Sequence, residues 1–170
     1  MNHANNASIE APPAIVVWLG YGGLLPFVAL AAGSLAAAEY AALCRVALLL
    51  YGALILSFVG ALHWAFAMSL PNLSAAKRTE CFTWSVVPAL LAWPAAMLMA
   101  VSAQISFTSI FFGYEVAAAP LIIGFVANYI QDLRLTRVAK LPAWYLPLRL
   151  RLTAVACVCL AAAGFAQLLR

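Results

Sequence analysis

Residues able to do chemistry are scarce in the apolar parts of this sequence, and His63 is foremost among them. It lies inside YGALILSFVGALHWAFAM, Tyr51 to Met68, a run long enough to cross a bilayer. An imidazole changes charge near neutral pH, so it can handle a proton or bind a ligand. It can equally stay neutral, hydrogen-bond a neighbouring helix and fix packing. Ser57 and Ser85 are potential nucleophiles only with a base beside them. Ser57 lies about 120° around the helix from His63, and neither serine sits in a GxSxG surround. An intramembrane metal site needs more than one histidine in the spans, and here there is only His63. No glycine loop of the phosphate-binding kind occurs. The expectation is therefore no catalytic residue, no metal and no cofactor. Asn128, with Tyr129 and Arg134, offers either the lining of a small-molecule site or an interhelical hydrogen bond.

The cysteines argue the same way. Cys44 and Cys81 bracket one apolar run and belong at opposite membrane faces. Cys157 and Cys159 point about 160° apart on a helix. No CxxC is present, so all four read as reduced, small apolar residues.

The element that must position His63 is its own helix. At 3.6 residues per turn, Gly52, Leu56, Val59, Gly60, His63 and Ala67 share one face. Small residues let helices approach closely in lipid, and a polar ring should face protein and not hydrocarbon. Both tendencies mark this face as a helix–helix seam, with Gly52, Ser57 and Gly60 at its tightest part. No second intramembrane acid faces His63 in this reading.

Composition places that helix in a membrane. Of 170 residues, 67% are hydrophobic and 8% charged, against about 25% charged in soluble domains. The mean hydropathy is +1.02. The net charge of +4 then points to anionic lipid on one face, not to nucleic acid. The expected fold is all-α, a polytopic bundle of five transmembrane helices at about 14–37, 45–70, 82–103, 115–133 and 148–169. Residues 1–13 form a mobile tail, and 14–170 a single domain. The first span is too long for the core of a secretory signal, and no Lys or Arg precedes it. Gly22, Gly23 and Pro26 should kink it.

Residues 39–44 and 74–81 read as a turn and a polar loop. Gln104 to Glu115 reads as an interfacial loop, with Glu115 at the start of the fourth span and Pro120 in its first turn. The alternative starts that span near Phe107 and buries the Glu115 carboxylate. Asp132, Arg134, Arg137 and Lys140 follow the fourth span on a helical extension at headgroup level, and Arg149 and Arg151 snorkel to the same surface.

Five spans put the N-terminus and the second and fourth loops on one side. That side holds Lys77, Arg78, Arg134, Arg137, Lys140, Arg149 and Arg151, expected contacts for anionic headgroups. The other holds Arg45 and Arg170. The bias places the N-terminus in the cytoplasm and the C-terminus outside.

Four segments carry a resemblance: GLLPF at Gly23–Phe27, YGALILSFVGALHW at Tyr51–Trp64, SVVPALLAW at Ser85–Trp93 and LPAWYLPLRLRLT at Leu141–Thr153. Through them the chain resembles the family of small bacterial inner-membrane proteins that includes mitochondrial transmembrane protein 69. Ala65 stands where members commonly have glycine, and the stretch 104–115 is longer than the family's usual connection. The resemblance implies a multi-pass protein of the bacterial inner membrane, or of the mitochondrial inner membrane in a eukaryote. It supplies no catalytic residues. The expected role is a structural or accessory component of a membrane complex, packed against another membrane protein. The alternative is binding or transport of a small molecule, quinone or lipid.

Overall fold

The computed structural model describes residues 11–36, 38–105 and 109–168, with side chains outside 99–113 and 166–168. The expected tail lies outside these residues up to position 10. Six helices follow: α1 (Ala14–Gly22), α2 (Leu25–Ala36), α3 (Ala41–Ser69), α4 (Ala75–Ile105), α5 (Ser109–Thr136) and α6 (Tyr145–Leu168). No strand occurs among the described residues. Among the described residues five segments are long and apolar enough to span a membrane, with α1 and α2 together forming the first.

The expected kink in the first span is a full break. The Gly23 amide donates to the Leu19 carbonyl at 2.9 Å and Leu24 to Tyr21 at 3.0 Å, closing α1. Pro26 then occupies the first turn of α2, where its missing N–H costs nothing. The Tyr51 hydroxyl donates to the Gly23 carbonyl at 2.9 Å and ties the break to α3.

α3 is the central helix and packs on α2, α4, α5 and α6. Its seam is the stripe of Gly52, Leu56, Val59, Gly60, His63 and Ala67, all buried. At Gly60 a Cβ would stand 2.6 Å from Cγ of Pro88 on α4, so only glycine permits this crossing. At Gly124 of α5 a Cβ would meet Leu56 of α3 equally closely. Apolar side chains from α2 to α6 fill the remaining core, with Phe27, Leu48, Leu56, Leu121 and Leu160 fully buried.

Several expected boundaries are corrected. α3 begins at Ala41, so most of the expected turn at 39–44 is helical. Residues 75–81 are the first two turns of α4, not a loop. The Ser74 hydroxyl accepts the Lys77 amide at 3.2 Å as an N-cap, and Lys77 and Glu80 pair at 2.8 Å. The stretch 104–115 is not a loop either. α4 runs to Ile105 and α5 starts at Ser109, and only 106–108 between them lie outside the described residues. Glu115 therefore sits within α5 with an exposed side chain, and Pro120 lies in the helix interior. At its other end α5 stops at Thr136, so Arg137 belongs to a turn and not to a helical extension.

Candidate functional site

Six polar side chains from three helices converge at one end of the bundle, whereas buried Ser34 and Arg45 lie towards the other. α3 supplies His63, α5 supplies Asn128, Gln131 and Asp132, and α6 supplies Tyr145 and Arg149. His63 is 0%, Asp132 1% and Arg149 6% exposed. His63 lies six residues from the end of α3, and Asp132 four from the end of α5. At 1.5 Å per residue the cluster is roughly 6–9 Å inside the end that carries the second and fourth loops.

Asp132 is its centre. Arg149 donates Nε–H to Oδ2 at 2.8 Å, and the Tyr145 hydroxyl donates to Oδ1 at 3.0 Å. His63 Nε2 stands 3.5 Å from the same Oδ1, longer than a good hydrogen bond. Phe66 sets its ring edge-on to both His63 and Tyr145, at 5.9 and 5.7 Å. A buried charge is tolerable only with a partner, and here each charge has the other. One turn nearer the loops, Ala67 and Leu135 join Leu73 and Cys81 in a second apolar cluster.

A second polar link joins α4 to α5, where Trp84 donates Nε1–H to the Asn128 Oδ1 at 3.0 Å. A third joins the same helices nearer the surface. Glu80 Oε1 accepts from Gln131 Nε2 at 2.6 Å and from Lys77 Nζ at 2.8 Å. Arg78 caps α3, donating to the carbonyls of Ala67 and Leu70. A cation is favourable at that helix end.

This arrangement redistributes the expected candidates. His63 lies on the buried seam with Gly52 and Gly60, but an acid does face it. Asn128 takes the interhelical hydrogen bond, not a place lining the cavity below. Ser57 turns its hydroxyl back to the Ala53 carbonyl at 2.9 Å, the usual way a lone helical serine is satisfied. Arg149 is corrected outright. It does not snorkel to lipid headgroups but is buried against Asp132. Arg78 is half-buried and occupied by carbonyls. Arg134, Arg137, Lys140 and Arg151 have exposed side chains, and Lys77 is partly exposed.

Sequence reasoning missed Asp132 and Tyr145 as site residues and gave Arg149 a different partner. The signal was periodic. Asn128, Gln131, Asp132 and Leu135 recur at helical spacing on one buried face of α5, and Tyr145, Arg149 and Thr153 on one of α6. Among the described residues no cluster of three metal-ligating side chains occurs.

Beside the polar cluster lies an apolar cavity of about 120 Å³. Gly20 and Gly23 of the broken first span, Phe27, Val59 and Phe125 line it, and Arg149 and Thr153 are its polar side chains.

A family model described as "Protein of unknown function (DUF3429)" matches residues 12–165. The chain is also similar to "Transmembrane protein 69" of Xenopus tropicalis, at 34% identity over 150 residues. That alignment takes in 88% of this chain and 53% of the relative, so the chain spans about half the relative's length. No solved structure matches.

Proposed function

This chain belongs to the DUF3429 family of proteins of unknown function, and we propose that it serves as a structural or accessory component of a larger membrane complex. The observation that carries this reading is the pairing of Asp132 with α6, through Arg149 and Tyr145. Each of its oxygens accepts one hydrogen bond from α6, and His63 of α3 stands 3.5 Å from one of them. Trp84 and Asn128 fasten α4 to α5 in the same way. Polar groups spent on holding helices together suit a rigid bundle that other proteins pack against. They suit a solute path poorly, because transport needs polar sites that are released and remade. No residue is assigned a catalytic role.

In this reading the N-terminus is cytoplasmic, and Lys77, Arg134, Arg137, Lys140 and Arg151 meet anionic headgroups there. The test is gentle purification from the native membrane followed by native mass spectrometry. A stoichiometric second protein is expected. A bare chain or a homo-oligomer would sink the accessory role. His63→Leu should change assembly or stability. If that variant folds normally yet abolishes a substrate-dependent flux, the protein is a transporter and not a scaffold.

A further inference from the structure

Arg149 is the starting point, because its ion pair leaves part of it unused. Nε serves Asp132, but Nη2 is buried and has no hydrogen-bond partner among the described residues. An N–H donor buried without an acceptor costs about 1–3 kcal/mol, more for a charged group. The same side chain lines the cavity beside the broken first span. On α6 the cavity takes Arg149, Leu152, Thr153 and Ala156, one helical face, so a guanidinium and a hydroxyl stand one turn apart in its wall.

The cavity has a direction. Arg149 lies near the loop end of the bundle, and Ala156 lies roughly 10 Å deeper at 1.5 Å per residue. The deeper wall, with Phe27, Ile55 and Phe125, is apolar. Leu19 and Phe58 also line the cavity, yet they are 69% and 64% exposed on the lipid-facing surface. So the space has a donor at headgroup depth, an apolar body, and a rim that meets the hydrocarbon. That polarity matches a membrane-dissolved molecule with one polar end.

Charge decides which kind. Arg149 and Asp132 already neutralise one another at 2.8 Å. An anionic head would leave a net charge in a buried site, which is costly. An uncharged acceptor would satisfy the spare N–H without that cost. The volume, about 120 Å³, is close to that of engineered cavities that bind benzene, roughly 150 Å³. It suits one ring and not a diacyl lipid.

We propose that this cavity binds the carbonyl-bearing ring of a quinone-class molecule, with a ring carbonyl accepting from Arg149 and the tail leaving past Leu19 and Phe58. The site goes beyond the accessory role and does not depend on it.

The probe is an azido-benzoquinone with a decyl tail, photolysed with the full chain in nanodiscs of neutral phospholipid, with adducts mapped by peptide mass spectrometry. Adducts are expected within residues 19–27 and 149–156. Unlabelled decyl-benzoquinone should compete and palmitate should not. Ala156→Leu fills the cavity without touching the polar cluster and should remove the labelling. Arg149→Lys keeps the charge and should weaken competition about tenfold, the loss of one hydrogen bond to a charged donor. Val59→Phe fills the cavity from α3 and carries the test if Ala156→Leu fails to fold. Labelling spread over lipid-facing helices, labelling unchanged in the folded filled variant, or no labelling would each overturn the site. Competition by palmitate and not by the quinone would overturn the uncharged ligand.

Discussion

At the scale of single residues, Asp132 and Arg149 stand or fall together. Asp132→Asn keeps an acceptor for Tyr145 but leaves a guanidinium buried without its counter-charge. The expected loss is about 3–5 kcal/mol, read as a lower unfolding midpoint in detergent micelles. Replacing both residues by leucine and methionine should cost less than the single change, because no charge is then stranded. A double change as damaging as Asp132→Asn would show that the pair's charges are not what holds α5 to α6. Trp84→Phe should be far milder, about 0.6 kcal/mol, the usual worth of an interhelical hydrogen bond in lipid. His63 was legible from sequence because it interrupts an apolar stripe. Asp132 was not, because Arg134, Arg137 and Lys140 follow it and make the whole stretch look like a helical extension lying among the headgroups. Its burial depends on α6 supplying Arg149, a long-range fact that no local pattern states. Arg149 was hidden likewise, since the alternation LRLRL reads as snorkelling although of its two arginines only Arg151 is exposed.

At the scale of helices, glycine placement sets the spacing. Gly60→Ala would drive a methyl to within 2.6 Å of the Pro88 ring and force α3 and α4 apart. Overpacking of this kind costs about 1–3 kcal/mol, and the same unfolding assay should detect it. Gly22→Ala is the control. A Cβ there meets nothing within 4 Å, so the midpoint should hold or rise. The small-residue stripe of α3 was readable from spacing alone. The helical state of 75–81 and 109–115 was not. Lys77, Arg78 and Glu80 have the composition of a loop, but an N-cap at Ser74 and pairing along the helix let them extend α4. Around Glu115 the aromatic and hydroxyl residues do not themselves set a boundary, and the carboxylate stays exposed on the outside of α5.

At the scale of the molecule, five spans put the two ends of the chain on opposite sides. A reporter fused after Arg170 should be active only outside the cytoplasm, and one fused before Met1 only inside it. The reverse pattern would overturn the orientation drawn from basic residues. The exposed cations in the last turn of α5 and the loop after it should hold anionic lipid by about 1 kcal/mol each near the surface. Changing Arg134, Arg137 and Lys140 together to glutamine should therefore reduce the anionic lipid retained in native mass spectra. The fold class and the number of crossings followed from composition, because hydrocarbon demands helices whatever their sequence. The joining of polar groups at one end did not follow, since it depends on which helices become neighbours.

The separation of 17 positions between Asp132 and Arg149 also has a meaning in time. A ribosome adding about 5–20 residues per second makes the carboxylate roughly one to three seconds before its guanidinium partner. Through that interval α5 carries an uncompensated acid close to the hydrocarbon. Four residues from the end of α5, the carboxylate can stay among the headgroups until Arg149 emerges, and it is then expected to enter the bundle together with α6. A nascent chain arrested before Arg149 should therefore leave the end of α5 that bears Asp132 more open to added protease than it is in the full chain.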